Sequence, residues 1–270
     1  MGLTGKISSW IVGTIFFLSL FSSFIVSYDP EAIDLDNLRQ PPSLKHLLGT
    51  DNKGRDILAR VLYGGKISIS ISVFAAFLSM GIGLIIGLVS GYFGGKTDTF
   101  FMAMVDLVLS FPALLLAIGV SVIFPPGIYT VMIALSSVGW ASFARLIRGH
   151  VLVLRESSFI EAAKAIGCSH IRILSVHLFP QCVPIAFVMT GLKLGGYILT
   201  EAALSFLGLG AQPPTATWGS MISANRVFIS SAPWMVFSPG VMIAITALCF
   251  NLLGDELREK YDIQKDSPCS

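Results

Sequence analysis

Residues 67–93 read ISISISVFAAFLSMGIGLIIGLVSGYF, a run of 27 positions without a charged side chain. The hydrocarbon core of a bilayer is ~30 Å thick, and about 20 apolar residues in an α-helix cross it. Inside lipid such a helix satisfies its own backbone hydrogen bonds. The stretch therefore predicts a membrane-spanning helix. Gly83, Gly87 and Gly91 recur at intervals of four, which allows a second helix to approach closely, so we expect them to serve packing.

Other apolar stretches extend this prediction to six spans. Hydrophobic residues make up 54% of the 270-residue chain and charged residues 13%, with a mean hydropathy of +0.77. Soluble domains carry ~25% charged residues, so the composition excludes a soluble enzyme and predicts an all-α membrane protein. The other predicted spans are residues 7–27, 100–124, 128–144, 182–200 and 233–253.

Charge and cysteine content argue against several further classes of protein. A net charge of +2 is low for a nucleic-acid-binding protein, which concentrates basic residues on one face. The four cysteines are scattered without the spacing of metal ligands, so no metal site is predicted. Neither an HExxH motif nor a nucleophile elbow is present. We therefore expect no catalytic residues and no cofactor in this chain.

The loops give the expected organisation. A small excess of Lys and Arg in alternate loops places both termini in the cytoplasm. Apolar residues at helical spacing after Asp56 predict a surface helix in the first outer loop, which Gly64 and Gly65 would end. The predicted parts are an N-terminal span 1–27, an extracytoplasmic loop 28–66, a five-helix core 67–254 with an inner loop 145–180 and an outer segment 210–232, and a cytoplasmic tail 255–270.

The inner loop 145–180 contains signals for a short, well-defined helix. Ser158 and Glu161 have the spacing of a capping box, in which each side chain accepts a hydrogen bond from the backbone N–H of the other. Gly167 can take the left-handed conformation that ends a helix. We therefore predict a helix that begins near Ser158 and stops at Gly167.

A second short helix is predicted directly after the first. Ser169 can cap residues 170–177, and Pro180 would separate them from the fifth span. The small side chains of Ala162 and Ala163 allow close approach to another surface, which is typical of a docking element. A pair of capped helices that merely connects two spans is the alternative.

Three charged residues lie within the predicted spans, where such groups are costly and often functional. Asp106 and Glu201 lie near span ends, so structural hydrogen bonding between helices competes with a role in a polar pathway. Lys193 lies about midway along the fifth span, and we expect it to face the interior of the bundle. A pair between Lys193 and Asp106 is one possible arrangement.

The inner loop resembles the EAA loop found in the permease subunits of bacterial ABC importers. His177 and Phe179 stand where that family usually has Ile and Leu. The residues that match at the family spacing are Glu161, Ala162, Ala163, Gly167 and Pro180.

Further motifs resemble the dipeptide, oligopeptide and nickel permeases, in particular their "C"-type subunit. The likeness covers residues 29–263. Its motifs are LGTDNKGRD at 48–56, LSFLGLG at 204–210, PPTATWG at 213–219 and FNLLGDELR at 250–258.

The resemblance implies the transmembrane half of an importer in the cytoplasmic membrane, with short peptides as the expected substrates. Its implied partners are a second, homologous permease chain, two subunits that bind ATP and Mg²⁺, and an extracytoplasmic substrate-binding protein. A nickel importer is the alternative within the family, whereas an ion-coupled secondary transporter and an intramembrane hydrolase are alternatives outside it.

The resemblance also implies roles for particular residues. The ATPase would be contacted by Glu161, Ala162, Ala163, Lys164, Gly167 and Pro180. The loops that would face the binding protein contain Asp51, Arg55, Asp56 and Trp218.

Overall fold

A computed structural model of the chain describes residues 3–26 and 28–263. The regular secondary structure of the described residues is helical, apart from one isolated antiparallel bridge between Thr50 and Asp56. The helices are α1 (Leu3–Leu20), α2 (Ser22–Ile25), α3 (Ile57–Phe93), α4 (Gly95–Ser110), α5 (Ala113–Ile123), α6 (Ile128–Arg155), α7 (Ser158–Ala165), α8 (His170–Arg172), α9 (Phe179–Phe206), α10 (Trp218–Asn225) and α11 (Trp234–Ile263).

Four of these helical stretches are long and apolar enough to cross a membrane: Ile57–Phe93, Ile128–Arg155, His170–Phe206 and Trp234–Lys260. The predicted third span, 100–124, is not one straight helix. It consists of α4 and α5, which meet at an angle of 96°, with Pro112 directly before the first residue of α5. Counted as one broken span, the pair raises the total to five, and α1 contains a shorter apolar stretch, Gly5–Leu20. The predicted all-α membrane architecture is confirmed, with four to five candidate spans.

The predicted separate surface helix after Asp56 is wrong. The Asp56 side chain accepts from the N–H of Ala59 and caps α3, which then continues without interruption through Gly64 and Gly65 into the membrane span. A Cβ on Gly65 would lie 2.8 Å from the ring of Trp218. These glycines therefore make room for a neighbouring segment and do not end the helix.

The spans also extend further than predicted at the opposite end of the molecule. Helix α6 continues beyond residue 144 to Arg155, and the predicted second short helix, 170–177, is joined to the fifth span in one stretch, His170–Phe206. The turn before Pro180 is a π-helix, Ile173–Leu178. A π-turn relaxes the usual i to i−4 pattern, which a proline cannot satisfy, so Pro180 is accommodated without a break.

The last helix, α11, is likewise longer than its predicted span. Pro239 lies inside α11, which continues on both sides of it. The first part of the predicted tail, from Asp255 to Ile263, is helical. Residues 264–270, which include Cys269, lie outside the described part of the chain, as do residues 1, 2 and 27 of the predicted N-terminal span.

The centre of the fold is the packing of α3 against α6, and the glycine repeat of α3 lies in that contact. A Cβ on Gly83 would lie 2.3 Å from the Cβ of Phe143. A Cβ on Gly87 would meet that of Ile147 at 2.7 Å. The expectation that these glycines serve helix packing is confirmed.

Gly81 and Gly83 offer a matched pair for testing this contact. Gly83→Leu should lower the thermal stability of the purified protein by about 1–3 kcal/mol, because overpacking forces the two helices apart. Gly81→Leu should have little effect, since nothing lies within 4 Å of a Cβ at that position. The measurement is the monodisperse fraction that survives heating in detergent, and equal melting of the two variants would contradict the packing.

At one end of the molecule, the loop end, residues 28–56 form a folded segment around a buried carboxylate. Asp51 is 1% exposed, and its Oδ2 accepts from Arg55 Nε at 2.8 Å and lies 3.6 Å from Nε of Arg60. Its Oδ1 accepts from the N–H groups of Lys53 and Arg55. Asp56 is also buried and lies 2.9 Å from Nδ1 of His46. These charges fix the shape of the segment from within.

The predicted outer segment, 210–232, packs on residues 28–56. Trp218 is fully buried, and its Nε1 donates to the carbonyl of Val61 at 2.9 Å. The guanidinium of Arg39 lies over the ring of Phe228, 5.1 Å from its centre. One apolar cluster joins both segments to the starts of α3 and α11. Leu48 of the first segment packs against its buried members, which are Ile57, Val61, Ala216, Met221, Ala232 and Met235. Residues 28–56 and 210–232 therefore form one cap on the loop end.

Substitution of Asp51 tests whether buried charge holds this cap together. Asp51→Asn should destabilise the cap by about 3–5 kcal/mol, since it leaves two buried guanidinium groups without their carboxylate. Asp36→Asn makes the same change at an exposed position nearby and should be neutral. Limited proteolysis of residues 28–56 reports the difference, and equal cleavage rates would contradict the assignment.

Candidate functional site

Five of the six predicted ATPase-contacting residues lie on α7 and its C-terminal turn, at the end of the molecule opposite the cap. The sixth, Pro180, is exposed in the first turn of α9. One face of α7 is anchored: Ile160 and Ala163 are buried among the ends of α3, α6 and α9. The other face is open, with Glu161, Ala162 and Lys164 exposed. The two alanines thus differ in role, because Ala162 is free for an external contact whereas Ala163 packs inside this chain.

The start of α7 differs from the predicted capping box. The helix begins at Ser158, so Ser157 occupies the cap position and makes no side-chain capping bond. Its hydroxyl donates instead to the carbonyl of Leu154, in the last turn of α6. The predicted reciprocal bonds between Ser158 and Glu161 are therefore wrong, and the Glu161 carboxylate projects from the exposed face.

The end of α7 matches the prediction. Gly167 has φ +79°, in the left-handed region. Its N–H donates to the carbonyl of Lys164, and the N–H of Cys168 donates to Ala163, both at 3.0 Å. This is the Schellman pattern. Ser169 then accepts from the N–H of Arg172, as expected for the cap of the next helix.

Several polar contacts around α7 were not predicted from the sequence. Tyr92 at the end of α3 forms a hydrogen bond with Nδ1 of His170, at 2.8 Å. Arg148 of α6 pairs with Asp98 of α4, and Arg155 donates to the carbonyl of Gly91 at 3.3 Å. These partners lie 50 to 78 residues apart in the chain, so no local pattern reveals them. They tie α3, α4, α6 and α8 to one another around the base of α7.

The structure separates the three charged residues of the spans. Asp106 pairs with Arg145 of α6, so the predicted pair with Lys193 is wrong. Glu201 is fully buried, and its Oε1 accepts from Ser205 at 2.8 Å. Lys193 is partly buried, and its Nζ donates to Ser142 Oγ at 3.1 Å.

Lys193 lines a cavity between α4, α5, α6, α9 and α11 with a volume of about 420 Å³. Cavities of 300–1,000 Å³ are the usual size of small-molecule sites. The bend between α4 and α5 contributes Leu109 and Ala113 to its wall, one from each side of the break. The expectation that Lys193 faces the bundle interior agrees with this placement.

The residues predicted to face a binding protein are all buried: Asp51, Arg55, Asp56 and Trp218. Their side chains shape the cap from inside, so direct contact with a partner through them does not fit the structure. The exposed side chains of the first outer segment include Leu35, Leu44 and Leu47. The sequence signal for these leucines was weak, because Leu35 begins a single 3-10 turn and the other two lie in loop, so they share no helical periodicity.

Comparison with known proteins agrees with the site. Residues 83–262 match the family described as "Binding-protein-dependent transport system inner membrane component". The chain is 43% identical over 246 residues to the glutathione transport system permease protein GsiD of Escherichia coli O6:K15:H31 (strain 536 / UPEC), covering 91% of this chain and 81% of that protein. The GsiD protein of Shigella boydii serotype 4 (strain Sb227) matches with the same identity and coverage.

The fold has a counterpart among solved structures. An inward-facing structure of the MetNI methionine ABC transporter aligns with a TM-score of 0.58 and 18% identity, covering 75% of this chain and 97% of the other. The family match spans two thirds of the chain and includes α7 and the cavity. The chain therefore belongs to the inner-membrane components of binding-protein-dependent transport systems, the permease subunits of ABC importers.

Proposed function

We propose that this chain crosses the cytoplasmic membrane six times, with both termini and α7 in the cytoplasm. The six crossings are α1, α3, the broken pair α4–α5, α6, the stretch His170–Phe206 and α11. The positions of the cap at the start of α3 and of α7 at its end support this topology, because the two then lie on opposite sides of the membrane. The excess of Lys and Arg near the α7 end agrees with a cytoplasmic location.

The observation that carries the proposed function is a short exposed helix on a buried base. Helix α7 follows α6 after two residues, and its buried face rests on the ends of three spans. A force applied to Glu161 or Ala162 is therefore transmitted directly to the spans, because no flexible loop lies between them and α7. We infer that α7 is the coupling helix, on which separate ATPase subunits act to switch the permease between two states.

The remaining proposed partners are those that membership of the family suggests. A second, homologous permease chain would complete the pathway, and two ATP-binding subunits would hold ATP and Mg²⁺ and do the catalysis. An extracytoplasmic binding protein would dock on the cap. The exposed Leu35, Leu44 and Leu47 are the side chains of the cap most suited to that contact.

Short peptides are the proposed substrates. The support is the pair of GsiD relatives, which are named for the transport of glutathione, itself a tripeptide. Nickel import is the alternative within the family. Secondary transport and intramembrane hydrolysis have no such support, because the family is defined by dependence on a binding protein.

Reconstitution tests this function directly. The chain is placed in proteoliposomes with its partner permease and ATPases, and the binding protein is supplied outside. Labelled glutathione, dialanine and trialanine should accumulate only when ATP is available to the ATPases, whereas ⁶³Ni²⁺ should not. Uptake by this chain alone, driven by an ion gradient, would refute the importer assignment, and uptake of nickel alone would replace the substrate class.

Gly167 provides a test of the coupling helix. Gly167→Val should uncouple transport from ATP hydrolysis, because a β-branched residue is strained at φ +79°. Gly167→Asn is the matched control, since asparagine tolerates the left-handed region and no atom lies within 4 Å of a Cβ there. We expect transport per ATP hydrolysed to fall at least tenfold for valine and less than twofold for asparagine. Normal coupling in the valine variant would argue against a rigid α7.

Glu161 provides a test of the contact itself. Glu161→Lys reverses a charge on the exposed face of α7 and should reduce co-purification of the ATPase subunits. The matched control is Glu31→Lys, which makes the same change at an exposed position on the other side of the membrane. Unchanged ATPase recovery with Glu161→Lys would place the contact elsewhere.

A further inference from the structure

The cavity beside Lys193 has the chemistry of an anion site. Its wall is largely apolar, but five of the lining side chains carry polar atoms: Ser142, Lys193, Tyr197, Thr200 and Asn251. Among the described residues that line it, none is Asp or Glu. The cavity therefore presents a cation and several hydrogen-bonding groups without a carboxylate to balance them.

The neighbouring charges confirm that Lys193 is set apart. Asp106 and Arg145 lie one turn from Leu109 and Ser142 in their helices, and they pair with each other. The opposite charges of Asp106 and Arg145 therefore compensate each other. Lys193 instead donates to a neutral hydroxyl, Ser142 Oγ, at 3.1 Å. A cation in a low-dielectric region is strongly stabilised by an opposite charge, so an anionic ligand would gain most at this position.

The polar groups are held in place by tight packing. Tyr197 donates to Ser79 Oγ at 2.7 Å. A Cβ on Gly139 would lie 1.8 Å from the Tyr197 hydroxyl, and one on Gly195 would lie 2.4 Å from Oδ1 of Asn251. The two glycines thus leave room for polar side chains from α9 and α11. Preorganised groups bind a ligand with less loss of entropy.

The cavity also lies near the middle of its longest helical stretch, measured along the helix axis. Lys193 is 23 residues from the start of the stretch His170–Phe206 and 13 residues from its end. At 1.5 Å per residue it is about 8 Å from the middle of that helix. A solute that crosses the membrane along this chain passes this depth after it leaves the outside and before it reaches the cytoplasm.

We propose that the Lys193 cavity is a carboxylate-binding site for the transported solute. Lys193 forms an ion pair with the carboxylate, and Ser142 together with Asn251 provides hydrogen bonds at its edges. The ligand class is a small peptide with a free carboxylate. This proposal rests on the proposed function and adds a specific contact within the membrane to it.

A charge-restoration experiment tests the site in the reconstituted transporter. Cys168, Cys182, Cys249 and Cys269 are first replaced by serine or alanine, and Lys193→Cys is added to this background. 2-Aminoethyl methanethiosulfonate then restores an amine of similar reach, whereas 2-sulfonatoethyl methanethiosulfonate adds a negative charge. Lys96→Cys, at an exposed position outside the cavity, is the matched control for labelling.

We expect ATP-dependent trialanine uptake at low concentration to fall about tenfold in Lys193→Cys, as for the loss of a charged hydrogen bond. Trialanine replaces glutathione here because it has a free carboxylate and no thiol that would react with the reagents or reduce the label. The aminoethyl reagent should restore most of the uptake, the sulfonatoethyl reagent should not, and trialanine should slow labelling at position 193. Lys96→Cys should show none of these effects.

The other outcomes separate the two hypotheses. If the cysteine-free transporter takes up no peptide although the wild-type transporter does, the same labelling is done with Lys193→Cys alone in the native background, using Lys193→Met as the reagent control. If the wild-type transporter takes up no peptide, the proposed function fails. If uptake is normal in Lys193→Cys, or the two reagents act alike, the carboxylate site is refuted while the importer function stands.

Discussion

The close approach of α3 and α6 supports the rest of the structure. Lipid is as apolar as the side chains it surrounds, so helices associate in it chiefly through packing of small residues. Gly83 and Gly87 bring the backbone of α3 against Phe143, Ala144 and Ile147 of α6. The bent pair α4–α5 lies against α6, and α9 lies against α3. The remaining spans are thus placed relative to one tightly packed pair.

The two ends of this core are built by different physical means. The loop end is closed by buried charges and by Trp218, which reaches the backbone of α3. The opposite end carries α7, which is anchored on apolar contacts and leaves one face exposed. A cap held by buried ion pairs resists deformation, whereas the exposed face of α7 is available for contact with a partner that moves it. This contrast matches a permease that is driven from one side.

The positions of α7 and the Lys193 cavity are linked through continuous helices. Helix α6 precedes α7 and contains Ser142, and the stretch that follows α7 contains Lys193. Both halves of that hydrogen bond therefore stand on helices whose near ends flank α7. In the proposed function, movement of α7 would change the separation of these two groups, and so would alter the affinity for a carboxylate.

Isolated glycines and prolines were the least reliable predictors of helix boundaries in the sequence. Gly64 and Gly65 resemble a helix stop, yet both lie inside α3, and Trp218 occupies the space that a side chain at position 65 would fill. Pro180 looks like a boundary, yet the π-turn before it lets the helix continue. Gly167 was predicted correctly because its role is set by neighbours in the chain. The local sequence suggests that a glycine or proline ends a helix, but the residue can serve packing instead where a distant segment lies against it.

The amino-acid sequence alone determined that the protein is a helical membrane protein, and it located α7, its C-terminal turn and the family motifs. Those properties depend on runs of apolar residues and on short spacings, which are local. Only the tertiary structure decided that Asp51 and Trp218 are buried, that Asp106 pairs with Arg145, and that Lys193 has a cavity without a carboxylate. These are relations between segments far apart in the chain, and they arise only when packing brings the segments together.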